Sequence, residues 1–146
     1  MIAHRDALER AAEAAAELAR RRAESPVDYV RWLPGQLAWL SCPDKKKLFR
    51  SGAQWGGKTT AGAAELIWRM LGRHPFHPVR VAPIRAWVVC GGGEQAQIVQ
   101  ERVWSLVPRS AVVDGCEYHD KKGAFRGRFP KLRLRNGSIA EFKTGT

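Results

Sequence analysis

One short run of residues has the types and spacing for phosphate chemistry. Gly52, Ala53, Gln54, Trp55, Gly56, Gly57, Lys58 and Thr59 satisfy the pattern G-x-x-x-x-G-K-[ST] of a P-loop. Each fixed position has a task. Glycines let the backbone take positive φ and approach an anion closely. Successive amides then face inward as a nest. A helix opening at Lys58 would add the positive end of its dipole. The Lys58 ammonium would reach the β- and γ-phosphates, and the Thr59 hydroxyl would ligate Mg²⁺. Thr60, in the first helical turn, would approach the α-phosphate region. The implied ligand is ATP with Mg²⁺. The bland alternative is a glycine-rich turn before a helix, with Lys58 in solvent. Context favours the phosphate cradle, because a short strand is predicted to enter the loop and a helix to leave it.

Other candidates carry less. Gly91, Gly92 and Gly93 follow a predicted strand, but no third glycine falls at the dinucleotide spacing. They read as a tight strand-to-helix turn. His74 and His77 have the spacing of a metal pair. They sit in a proline-rich loop with no nearby Cys or carboxylate partner, and are read as loop residues. Cys42, Cys90 and Cys116 fit neither a disulfide framework nor a zinc site. Scattered single thiols fit a reducing cytoplasm.

The elements that must position the loop follow from pattern. Residues 5–24 are rich in Ala, Glu, Leu and Arg and predict a helix, with Leu8, Ala11, Ala12, Ala15 and Leu18 as a modest apolar stripe. Ser25-Pro26 stops it. Pro34 suits the first turn of a short helix over 34–40. A strand is predicted over 48–51 and a second helix over 58–71, ending at Gly72. The apolar run 86–90 predicts a strand buried on both faces, as in a parallel sheet. A helix follows over 94–107, stopped by Pro108. Residues 114–130 are Gly-rich and basic with no clear periodicity. The alternating run 131–135, the pair Asn136-Gly137 and the return run 138–143 predict a hairpin with a type I′ turn. Strands alternating with helices imply an α/β sheet.

The chain has 146 residues, the size of one domain, and its 25 Lys and Arg against 14 Asp and Glu give a net charge of +11. A balance this basic suggests a polyanionic partner, most simply nucleic acid, or else a fragment whose acidic remainder lies elsewhere. No stretch of about twenty apolar residues occurs, so no membrane span is expected. The first residues are charged and do not form a secretory signal. Lys121, Lys122, Arg126, Arg128, Lys131, Arg133 and Arg135 crowd one region, where phosphate contacts would be sequence-independent and salt-sensitive. The competing reading is a solvated loop and strand face.

With these residues in view, the chain resembles the N-terminal ATPase domain of the large terminase subunit of tailed bacteriophages, over roughly residues 29–146. The likeness is carried by the segment 32–40 with its Pro, Gln and Trp, the run 51–65 that reads as Walker A and its helix, residues 72–75 before the 86–90 strand, and the hairpin 132–143. The resemblance implies a P-loop NTPase fold of the RecA/ASCE type: a partial sheet with flanking helices, preceded by an N-terminal helix at 1–25, with the ATPase part over 26–146. It implies an ATP-driven motor that packages viral DNA in the host bacterial cytoplasm. The implied partners are double-stranded DNA, a portal protein, a small terminase subunit and further copies of the chain in a ring.

By matching position, Gln36 would read the adenine edge, since a carboxamide both donates and accepts, and Trp32 or Trp39 would flank the base or simply pack. Two departures stand out. No apolar strand ending in Asp-Glu occurs, so no Walker B carboxylate and no catalytic residue is assigned within the chain, and no nuclease segment is seen. Hydrolysis by this chain alone is therefore expected to be slight. Gln54-Trp55 also stands where many members carry an Arg. Two alternatives remain: another DNA-dependent P-loop ATPase such as a helicase, or a basic nucleic-acid-binding module with a vestigial P-loop.

Overall fold

The computed structural model describes residues 2–50 and 57–145. Residues Gly52, Ala53, Gln54, Trp55 and Gly56 of the predicted cradle lie outside the described residues. The element order is α1 (Ile2–Glu24), a 3₁₀ turn (Pro26–Tyr29), α2 (Pro34–Ser41), α3 (Lys58–Leu71), β1 (Arg85–Cys90), α4 (Gly93–Leu106), a second 3₁₀ turn (Arg109–Ala111), β2 (Tyr118–His119), β3 (Ala124–Phe125), β4 (Lys131–Arg133) and β5 (Ile139–Thr144). The fold is mixed α/β, with helices around a small mixed sheet.

α1 illustrates a helix held by local terms. Its described side chains are exposed apart from a half-buried Glu17, and Leu8 and Leu18 of the predicted apolar stripe face solvent. Good helix formers and close ion pairs do the stabilising: Arg5 with Glu9 at 3.0 Å, and Glu17 with Arg20 at 2.8 Å and Arg21 at 2.7 Å. α3 is the opposite case. Ala61, Ala64, Ile67, Trp68 and Met70 are all essentially without solvent contact, and they form the centre of the core with Val27, Leu40, Val103, Leu132 and Ala140.

The larger sheet has the order β1-β5-β4. β1 and β5 run parallel, with Ala86 opposite Ala140 and Val88 opposite Phe142. β4 and β5 run antiparallel, with Leu132 opposite Ala140. Ala140, Phe142 and Leu132 turn inward together, because side chains alternate along each strand. The parallel pair and the hairpin agree with the pattern reading.

Four expectations are corrected. β1 is not buried on both faces: Trp87 is 74% and Val89 68% exposed. Burial alternates along the strand: Ala86 and Val88 pack on the core on the side where α3 and α4 meet β1, and Trp87 and Val89 on the opposite face stay open to solvent. Residues 48–50 form no strand; they join no described ladder, although Phe49 packs on the core and stacks on Trp39 at 5.7 Å. The region 114–130 does contain structure, a hairpin in which Tyr118 pairs with Phe125 and His119 with Ala124.

The fourth correction concerns the β4–β5 turn. It is not type I′, which needs positive φ at both central residues. Only Gly137 has it, at 88°. The Gly137 amide donates to the Leu134 carbonyl at 3.0 Å, so Arg135 and Asn136 form an ordinary turn and Gly137 the left-handed residue that follows. Asn136 is occupied otherwise: its Nδ2 donates to the Met70 carbonyl at 2.8 Å and its Oδ1 accepts from the Ser138 amide at 3.0 Å. The hairpin thereby caps the end of α3.

Candidate nucleotide site and basic groove

The start of α3 is where the predicted cradle enters the described structure. Gly57 is its N-cap, in the left-handed region at φ 59° and ψ 23°. Its carbonyl accepts the first helical bond from Ala61 at 3.0 Å and a second from Gln36 Nε2 at 2.9 Å. A Cβ built on Gly57 would stand 2.0 Å from Gln36 Nε2. Glycine is thus required twice here, by φ and by the neighbouring carboxamide.

Gln36 is 5% exposed and works as a brace. Its Oε1 accepts the Leu33 amide at 2.9 Å, closing the first turn of α2, while its Nε2 holds Gly57. The residue singled out from sequence for base recognition is therefore brought beside the cradle, with one N–H and one lone pair beyond these bonds. The tryptophans are spent on packing. Trp32 meets the edge of Trp68 at 5.7 Å, and Trp39 stacks on Phe49 with Lys47 4.6 Å from its ring centre.

Gly57, Lys58, Thr59 and Thr60 line one wall of a cavity of about 310 Å³, and Ile98, Glu101, Arg102 and Ser105 of α4 line the other. Two cationic residues, three hydroxyl-bearing residues and the amino end of a 14-residue helix line this space, residue types suited to a phosphate chain and its Mg²⁺, and the Ser105 hydroxyl already donates to the Arg102 carbonyl at 2.8 Å. Glu101 adds a carboxylate. Sequence reasoning missed Glu101 and Arg102. Nothing in the spacing marks them, since only the packing of α4 beside α3 brings residues over forty positions apart together.

The basic residues divide. Arg126, Arg128, Lys131 and Arg133 line one groove of about 500 Å³ with Val113, Cys116, Glu117 and Phe129. Lys121 and Lys122 lie in the turn between β2 and β3, outside that lining. Arg135 turns to Asp114 at 2.6 Å and to the Ser110 carbonyl at 3.1 Å. Within the groove, Arg126 pairs with Glu117, and Lys131 with Glu141 at 3.1 Å. Hydrogen bonds from Lys143 and Lys131 hold the Glu141 carboxyl below its usual range.

A second polar centre lies farther along α3. Glu65 Oε1 accepts from Arg69 Nε at 2.6 Å and contacts Lys47 Nζ at 3.1 Å, and its Oε2 meets His74 Nε2 at 3.0 Å. Burial raises the Glu65 carboxyl, but the bonds from Arg69, His74 and Lys47 outweigh it and leave the pKa below the ordinary value. Burial also lowers that of His74, favouring neutral imidazole. The expectation that His74 and His77 lack a carboxylate partner is corrected. The partner, Glu65, stands on the preceding helix, and the two imidazoles stack at 3.9 Å.

No helix among the described residues is long and apolar enough to cross a membrane. No family model matches the chain, and neither a curated protein nor a solved structure does.

Proposed function

We propose that the chain binds ATP with Mg²⁺ at the amino end of α3, as the phosphate-binding part of a P-loop NTPase of the terminase large-subunit kind. The observation that carries the reading is Gly57. It is a left-handed N-cap fixed by Gln36, and it opens a helix whose first residues, Lys58, Thr59 and Thr60, line a cavity. Lys58 and Arg102 would take the phosphate charge, Thr59 would hold Mg²⁺, and Gln36 would fix the cradle and offer its remaining N–H and lone pair to the adenine edge. DNA would lie along Arg126, Arg128 and Arg133, through contacts to phosphate. The portal protein, the small subunit and a ring of copies belong to the same reading.

Calorimetry with ATP and Mg²⁺ tests it. The native chain should bind, and Lys58→Ala should weaken binding by about tenfold or more, equivalent to roughly 1.4 kcal/mol. No heat from the native chain, or equal affinity in Lys58→Ala, would defeat the reading.

A further inference from the structure

The geometry points to a metal site at Glu65, His74 and His77, taking a divalent transition ion of zinc's class. One ligating atom from each residue lies within 4.8 Å of the other two. Ligand atoms around a tetrahedral ion with bonds of 2.0–2.1 Å stand about 3.3 Å apart. Glu65 Oε2 and His74 Nε2 already stand 3.0 Å apart, so His77 is the ligand that approaches. It sits in a segment without helix or strand between α3 and β1, where a tilt off its stack on His74 breaks no ladder.

The bond partners identify the available nitrogens. His77 Nδ1 lies 3.2 Å from the Pro78 carbonyl and so carries the proton. That leaves the lone pair on His77 Nε2, which is buried and without a hydrogen-bond partner among the described residues. A buried acceptor with no donor is a cost that few native groups bear, and an electrophilic ion removes it. His74 Nδ1 accepts from the Phe76 amide over a long 3.3 Å, so its proton is on Nε2 and points at Glu65. Coordination moves that proton to Nδ1 and gives up the Phe76 contact, with no net proton lost.

Two imidazoles and a carboxylate form the borderline N/O set of zinc, with a fourth position for water. The outer shell is in place. Arg69 and Lys47 hold Oε1, which aims Oε2 at the histidines. The same two cations share the carboxylate's charge, so the imidazoles supply most of the affinity. The bound ion would pin the segment after α3 to the helix that carries the nucleotide end.

The test uses the full chain, stripped with EDTA and titrated with ZnCl₂ by calorimetry and with CoCl₂ by visible absorption. The expected result is stoichiometric uptake, a rise in melting temperature with zinc, and visible cobalt bands of a four-coordinate site without thiolate charge transfer. His77 Nε2 bonds nothing among the described residues, so His77→Ala should fold and weaken uptake by about tenfold or more. The cysteines are common to both proteins, so the difference isolates the histidine. Lys58→Ala should bind zinc as the native chain does, which separates this result from the nucleotide reading. No uptake by the native chain, equal uptake by His77→Ala, or a thiolate–cobalt band overturns the proposal.

Discussion

At its amino end α3 meets a cavity of about 310 Å³ lined by hydroxyls, Lys58, Glu101 and Arg102. At its carboxyl end several polar groups are answered by distant parts of the chain. The Met70 carbonyl accepts from Asn136 and from Ser138 Oγ, the latter at 2.7 Å. Trp68 Nε1 donates to Asp28 at 3.0 Å, and Arg73 grips the same carboxylate at 2.7 and 3.0 Å. One helix thus carries an end built for stability and an end that keeps polar groups facing a cavity. The difference teaches where substitutions should act. Changes at the carboxyl end should alter unfolding and spare affinity at the proposed nucleotide site, and changes at the amino end should do the reverse.

Trp68→Ala should break the stable end most severely. The ring is 1% exposed and meets Trp32, His74 and Phe76 edge-on at 5.0 to 5.9 Å. Its loss should cost about 3–5 kcal/mol, a large share of the stability of a domain this size. Denaturant unfolding reads this, and a loss under about 1 kcal/mol would show that the ring does not organise the core. Ser138→Ala is a finer cut. The buried hydroxyl donates to Met70 and accepts the Ile84 amide at 3.1 Å, joining α3, the approach to β1 and the hairpin. Removing it strands the amide and should cost about 1–3 kcal/mol, with affinity at the proposed nucleotide site unchanged. A change in affinity instead would mean that the two ends of α3 are coupled.

Sequence reading served the two ends unequally, for a physical reason. The bounds of α3 were legible because Gly57-Lys58 and Gly72 are local signals acting on the backbone they occupy. The parallel character of β1 was legible through its continuous apolar run, and the hairpin through alternation and Asn136-Gly137. What the hairpin does was not, since Asn136 and Ser138 cap a helix more than sixty residues earlier. The open face of β1 was misread because an apolar run reports composition, not what covers it. The same limit hid Glu101 and Arg102 opposite Lys58, and Glu65 beside His74. In each case the partner is supplied by packing between elements, which no local spacing encodes.

The smallest expected effect belongs to Asp28, which ties the 3₁₀ turn to α3 and sharpens what the carboxyl end owes to charge. Burial raises this carboxyl, but bonds from Arg73, Ser25 and Trp68 outweigh it and set its pKa below the ordinary value. A folded pKa below the unfolded one makes the ionised group stabilising. That contribution is complete above the unfolded pKa of about 3.9 and disappears as pH falls through the lower folded value. Asp28→Asn lacks the charge at every pH. Since Arg73 is half exposed, with 52% of its side chain in solvent, screening limits the difference from native to about 1 kcal/mol near neutrality. The gap should hold from pH 7 down to about 4 and close only in stronger acid, as the native carboxyl takes up its proton. Urea unfolding of both proteins across that range measures it. A gap that closes already near pH 6 would mean that a different group titrates, and a gap that persists in acid would mean that Asp28 acts by shape and hydrogen bonding without its charge.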